Sequence, residues 1–246
     1  GKIRPTCGKA AMEWVTKAGE LAMAGVLDCM ATAPLNKEAA SLAGYQSIGH
    51  TELLGELAGV KTVATMLLAK NLRVVHLTTH RSLRLACDYV KRDRILEFLQ
   101  LTHDNFVTWG FKNPRIGAAA LNPHNSDGGL LGNEEAEEIA PAVESARQRG
   151  IDVTGPVPAD IIFHQAIQGR YDAVLCMFHD QGHRPVKVYG FEESITANLG
   201  LPFVRTSVDH GTAFDIAGKG IADAFSMLES IRLAVGLAKG NGLADF

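Results

Sequence analysis

Three histidines stand where a chain of alternating strands and helices places catalytic side chains. His80, His124 and His179 each follow a continuous apolar run of strand length: residues 73–79 (RVVHLTT), 115–121 (RIGAAAL) and 173–178 (AVLCMF). Such runs, bounded by polar or turn-forming residues, read as strands buried on both faces. Ligands of open α/β sheets gather beyond the carboxyl ends of the strands, so each imidazole leaves its strand where a site is expected. Neutral imidazole is the commonest side-chain metal ligand, and three of them with coordination positions to spare make a catalytic rather than a structural metal centre. A hydrogen-bonded turn residue is the alternative for each one alone. Recurrence at three equivalent strand ends is what favours a shared site.

Other residues gather at the same kind of position. Asp180 sits beside His179, and Lys187 follows closely enough to point into the same cleft. Residues 203–208 read as a further strand carrying Arg205 and ending on Asp209 and His210. A guanidinium there is costly to bury without an anion, which is either a ligand carboxylate or phosphate or a carboxylate of the protein. Lys37, beyond Pro34, is either solvated or an anion ligand. Gly49-His50-Thr51-Glu52 precedes a helical run at residues 53–58, so Thr51 suits a cap and the amides suit an anion. The glycine-rich residues 125–129 after His124 allow close approach of backbone amides to a phosphate, or simply a turn. His76, His103 and His164 lie within predicted elements and read as structural.

The elements that must position these groups alternate in type. Helices are expected over residues 10–24, 82–90, 93–109, 134–148 (kinked or split at Pro141), 159–167 and 222–237, and further strands over 26–31 and 203–208. The pattern predicts an α/β fold with mostly parallel sheets and flanking helices. At 246 residues, with 24 basic and 27 acidic side chains, the chain has neither the basic excess of a nucleic-acid partner nor one suited to an anionic membrane. No apolar window reaches bilayer length, so a small-molecule partner and a cytoplasmic location are expected. Cys7, Cys29, Cys87 and Cys176 form no CxxC pair and read as core residues in a reducing compartment. The chain opens at Gly1 and enters a helical pattern almost at once, which reads as a polypeptide whose first elements lie upstream. Gly218-Lys219-Gly220 lacks the third glycine of a dinucleotide fingerprint and follows no strand.

TAPLNK (residues 32–37), GHTE (49–52), TTH (78–80), LNPH (121–124), HDQG (179–182) and GLPFVRTSVDHGTAFDIAG (200–218) together resemble the 4-hydroxythreonine-4-phosphate dehydrogenase family of pyridoxal phosphate biosynthesis. The resemblance spans essentially the whole chain, in the family's order. It implies a homodimer of two-domain subunits with isocitrate/isopropylmalate-dehydrogenase-like architecture, residues 1–30 and 200–246 in one α/β domain and 31–199 in the other. It implies NAD bound without the usual fingerprint and a divalent metal, zinc or cobalt by its imidazoles, magnesium or manganese by an oxygen-rich substrate. By resemblance His80, His124 and His179 are the metal ligands, and His50, Thr51, Lys187 and Arg205 bind substrate, with Thr196 standing where the family usually has an asparagine and Asn198 two residues on. Asp180 and Asp209 would orient imidazoles. The implied reaction oxidises the secondary hydroxyl of a small phosphorylated hydroxy acid, and the β-keto acid then loses carbon dioxide. NPHNSDGG departs from the family's more usual NPHAGEGG, while TAPLNK and AFDIAGKGIAD look closer to a sister group acting on D-threonate or D-erythronate 4-phosphate. A three-histidine metal lyase or hydrolase and a catalytically silent acid-binding protein are the competing readings, and nicotinamide binding and turnover separate them.

Overall fold

Pro5 opens the first helix, α1 (Pro5–Met23), in the turn where a missing N–H is harmless, and Gly25 with φ of 69° follows its end. The computed structural model describes residues 1–46 and 49–241. The chain forms two compact units, Gly1–Val63 together with residues 195–241, and Ala64–Ser194.

In the first unit α1 leads to β1 (Cys29–Thr32), α2 (Lys37–Leu42) and α3 (His50–Ala58). Asn36 caps α2 by accepting from the Ala39 amide at 2.8 Å. The two helices α1 and α2 touch at Gly8, where any Cβ would collide with the Ala39 carbonyl. Residues 31–63 therefore stay with α1, whereas the sequence placed a boundary after residue 30; α2 and α3 both pack on the first helix.

The second unit begins with a hairpin, β2 (Ala64–Ala69) antiparallel to β3 (Leu72–His76). It continues through α4 (Leu83–Asp88), α5 (Arg92–Thr108) and β4 (Ile116–Ala119) to a left-handed turn over Pro123–Gly129. A π-helical turn at Glu135–Ile139 runs into α6 (Ala140–Gln148), so the irregularity expected at Pro141 is present, with the proline in the first turn of α6. Then come β5 (Val153–Val157), α7 (Ala159–Ile167), β6 (Ala173–Cys176) and α8 (His179–Tyr189). Strand order in this unit is β2-β3-β6-β4-β5, parallel from β3 onward. Every residue of β3, β4 and β6 is buried, as the apolar runs require. Leu67, Val74, Ala119, Ile162, Val174 and Val186 form the core beneath them.

The chain returns to the first unit as β7 (Ile195–Leu199) antiparallel to β8 (Val204–Val208), which lies parallel to β1, and ends its described part with α9 (Phe225–Ala238). Met30, Leu54 and Leu201 centre that unit's core. Strands β2, β5 and β7 had no counterpart in the sequence reading. In β5 the reason is plain: Pro156 and Pro158 favour a turn, yet β5 is the last strand in its unit's order, where proline is tolerated. Gly155 is also required, because a Cβ there would lie 2.7 Å from the Ala118 side chain. Of the cysteines, Cys176 is fully buried, but Cys7 is exposed.

Candidate functional site

Arg205 issues from β8 and is buried. Only 5% exposed, its guanidinium donates from Nε and Nη2 to Thr32 Oγ1 at 3.0 and 2.6 Å and from Nη1 to Asn198 Oδ1 at 2.7 Å. These acceptors are neutral, and among the described residues no carboxylate is bonded to it. Burial pulls its pKa down to about 10, with Glu52 acting from a distance in the opposite sense. Asn198 passes the network on by donating from Nδ2 to Thr51 Oγ1 at 3.4 Å. His50, at the start of α3, is driven down to about 4 first by burial and then by the charges of Arg205 and Lys37. It is therefore neutral near pH 7, beside two cationic side chains. Gly49 has no side chain to cap α3, and the positive end of that helix lies at His50 and Thr51. Thr51 thus belongs to the first turn and is not the cap. Guanidinium, ammonium, neutral imidazole and a helix start are groups of the kind that bind a phosphate or carboxylate.

The second unit holds the imidazoles. The segment HDQG, where no helix was expected, is the first turn of α8. His179 and His80 have ring centres 5.8 Å apart. Two imidazoles on one tetrahedral ion have ring centres about 5 Å apart, given a metal–nitrogen distance of about 2.0–2.1 Å. Asp180 Oδ1 lies 2.7 Å from His179 Nδ1. An ionised carboxylate only accepts, so Nδ1 carries the proton and Nε2 presents its lone pair. That hydrogen bond, with help from Arg184, holds the Asp180 carboxyl below its usual range. As a donor set the pair fits two positions of a divalent transition ion. His124 does not join them: among the described residues no group of three His, Cys, Asp or Glu side chains could hold an ion. It lies in the left-handed turn, where His124, Asn125, Ser126, Asp127 and Gly128 all have φ between 44° and 69°. Glu135 secures the chain entering that turn by accepting from the amides of Leu121 and Asn122 at 2.8 and 2.7 Å and from Asn122 Nδ2 at 2.9 Å.

Lys187 lies on α8, donating to Ser194 Oγ at 2.8 Å with its ammonium 4.7 Å from the centre of the Phe191 ring. Asp209 directly follows β8 in the first unit. Thr196 Oγ1 donates to the Ser207 carbonyl at 3.3 Å, and the residue bonded to Arg205 and Thr51 is Asn198. Alternation along β7 puts Thr196 and Asn198 on one face, a signal available in the sequence. Thr32, Glu135, His76 and His183 were missed as partners of site residues. Reading HDQGH as helix would have exposed His183, one turn beyond His179.

The family model described as pyridoxal phosphate biosynthetic protein PdxA matches residues 1–234. The chain is 48% identical to 4-hydroxythreonine-4-phosphate dehydrogenase of Geobacter metallireducens, over 96% of its own length and 69% of that protein's. It is 47% identical to D-threonate 4-phosphate dehydrogenase of Cupriavidus necator, over 97% of its length and 72% of the relative's. A crystal structure of 4-hydroxythreonine-4-phosphate dehydrogenase from Klebsiella pneumoniae matches with a TM-score of 0.90 at 44% identity, covering 96% of this chain and 73% of that one. All three relatives are named dehydrogenases, and the resemblance carried by the motifs holds over nearly the whole sequence. The chain belongs to the family of the pyridoxal phosphate biosynthetic protein PdxA.

Proposed function

We propose that this protein is a cytoplasmic, metal-dependent NAD oxidoreductase that oxidises the secondary hydroxyl of a small phosphorylated hydroxy acid, the product then losing carbon dioxide. The reading rests above all on Arg205, a buried cation whose bonds run to neutral oxygens. A guanidinium so placed is poised for an anion that arrives with the ligand. Arg205, Lys37, His50 and Thr51 hold the substrate's phosphate or carboxylate, and neutral His50 donates a hydrogen bond without adding charge. Lys187, on α8, binds the substrate and transfers protons, and Thr196 takes part at the edge of the anion site. His80 and His179 hold a divalent ion, with zinc or cobalt favoured by imidazole. Asp180 keeps the His179 ring in the tautomer that can ligate, and Asp209 serves the first unit's site. When bound, NAD supplies the hydride acceptor and the ion a Lewis acid that lowers the pKa of the substrate hydroxyl.

His124 is the third ligand, and in a homodimer it reaches the His80–His179 pair from a second copy of the chain. A two-fold dimer builds each site twice from the same patches, which accommodates a ligand set that one chain does not assemble. Among substrates, D-threonate or D-erythronate 4-phosphate is favoured slightly over 4-hydroxythreonine 4-phosphate, because TAPLNK (residues 32–37) and AFDIAGKGIAD (213–223) look closer to the sister group acting on those acids.

NADH formation with each of the three acids, with and without divalent metal, tests the reading. Metal-dependent NADH production with one of them, abolished in Arg205→Ala, is the expected result. No NADH from any of the three in the metal-loaded protein would overturn it.

A further inference from the structure

His183 and His76 have no part in the chemistry above, yet the fold is arranged around their contact. His76 is the last residue of β3 and only 1% exposed. Its Nδ1 lies 3.4 Å from the Thr65 carbonyl and its Nε2 lies 2.9 Å from His183 Nδ1. A carbonyl only accepts, so His76 carries its proton on Nδ1 and offers Nε2 as acceptor; His183 Nδ1–H is then the donor, shared with the His179 carbonyl at 3.2 Å. Burial, and next the neighbouring His183, depress His76 to about 3, so it stays neutral. An aliphatic side chain would fill the same place in the core without a polar atom to satisfy.

The approach is made possible by Gly182. A Cβ there would lie 2.5 Å from both His76 Nε2 and Cys176 Sγ and 2.8 Å from Val74 Cγ1. The first turn of α8 can rest against β3 and β6 only because residue 182 has no side chain. Three sequence features, a histidine inside a buried strand, a glycine and a histidine one residue on, thus serve one hydrogen bond.

The far face of His183 meets His179. Their rings are 3.6 Å apart at centroids and 12° from parallel, a stacked pair. His179 is then held in two independent ways. The hydrogen bond from Nδ1 to Asp180 fixes a direction within the ring plane but leaves the ring free to roll about that line. Stacking on His183 removes the roll. A lone pair aimed at an ion needs both, since a ring turned out of plane no longer points at the metal.

We infer that His183, itself fixed by His76, is a positioning residue that sets the plane of the His179 ring for the divalent ion. The inference rests on the metal reading above.

Calorimetric titration of Zn2+ and Co2+ into the wild-type protein and four variants, with Tm measured alongside, separates the possibilities. His179→Ala loses binding. His183→Ala weakens it about 10–100-fold, the scale of residues that support a metal ligand. His183→Phe keeps a stacking ring but cannot donate to His76: Tm falls, affinity stays near wild type, and the visible spectrum of bound Co2+ is unchanged. His183→Gln keeps a donor for His76 but has no ring, so Tm holds while affinity falls and the Co2+ spectrum shifts. A residue with only a structural role would move Tm and affinity together. Wild-type protein that binds neither ion overturns the metal reading and the inference with it. Binding lost in His179→Ala but equal to wild type in His183→Ala and His183→Gln overturns the inference alone.

Discussion

Replacing Arg205 by methionine separates a cation kept for a ligand from one kept for the fold. Burial takes the guanidinium from its ordinary range, roughly two to three pH units higher, down to about 10. At about 1.4 kcal/mol per pH unit, keeping it charged in the fold costs on the order of 3 kcal/mol. Methionine removes that cost and fills much of the same volume. Against it stands the loss of the partners: Thr32 Oγ1 retains Ser207 Oγ at 3.0 Å, while Asn198 Oδ1 loses its 2.7 Å donor, a penalty of about 1–3 kcal/mol. The two nearly cancel. Arg205→Met should therefore melt within about 4 °C of wild type, since 1 kcal/mol moves a chain of this size by roughly 2–4 °C. Its affinity for inorganic phosphate or the substrate should fall at least about tenfold, the loss of a charge-assisted hydrogen bond worth about 1.5–3 kcal/mol. Differential scanning calorimetry and a phosphate titration on the same preparations read both. A large drop in Tm with unchanged anion affinity would mean the guanidinium is structural and refute the reasoning.

Two further outcomes follow from the same geometry. If His124 completes the ion site of a second copy, His124→Ala and His179→Ala are each inactive alone, but mixing and refolding them gives heterodimers with one intact site of two. With about half the dimers mixed, activity recovers to about a quarter of wild type; no recovery places all three ligands within one chain. Stability should also decline on mild acidification. His50 and His76 stay neutral in the fold down to about 4 and about 3, whereas in the unfolded chain they take up protons near pH 6.5. The unfolded state binds more protons in that window, so stability rises with pH across it and is lost as pH falls from about 6.5 toward 4, by up to about 1.4 kcal/mol per pH unit for each histidine. Urea midpoints at pH 7, 6 and 5 measure the slope, and His50→Asn should reduce it by about half; an unchanged slope would show that His50 does not resist protonation in the fold.

Much of this was legible because buried parallel strands announce themselves. The runs before His80, His124 and His179 became β3, β4 and β6, or stopped within a few residues of them. Helices with a clear apolar stripe, such as α5 and α7, fell within a residue or so of expectation. What the sequence concealed lies where local chemistry yields to packing. Pro156 and Pro158 favour a turn, but the strand β5 forms there, and Gly155 is what lets it approach Ala118. No helix was expected over HDQG, where Gly182 and Pro185 weaken a helical pattern, although Gly182 is what lets α8 seat against β3 and β6. Five successive left-handed residues after Pro123 carry no signature beyond asparagine, aspartate and glycine, all of which turns select anyway.

Residues 196 and 198 show why motif likeness and side-chain contacts have to be read separately. Position by position, Thr196 takes the place of the family's asparagine, which suggests a lost ligand. A strand has a period of two, so moving an amide from 196 to 198 keeps it on the same face of β7 and shifts it along that face by one pleat. There Asn198, 3% exposed, accepts from Arg205 and donates to Thr51, joining the buried cation of β8 to the first turn of α3. The threonine left behind turns its hydroxyl to the Ser207 carbonyl across the β7–β8 pair. The amide at 198 thus braces the guanidinium, and the hydroxyl at 196 ties to the neighbouring strand. On the proposed reading this leaves the charge offered to an anion intact and alters the shape beside it, where closely related four-carbon acids differ.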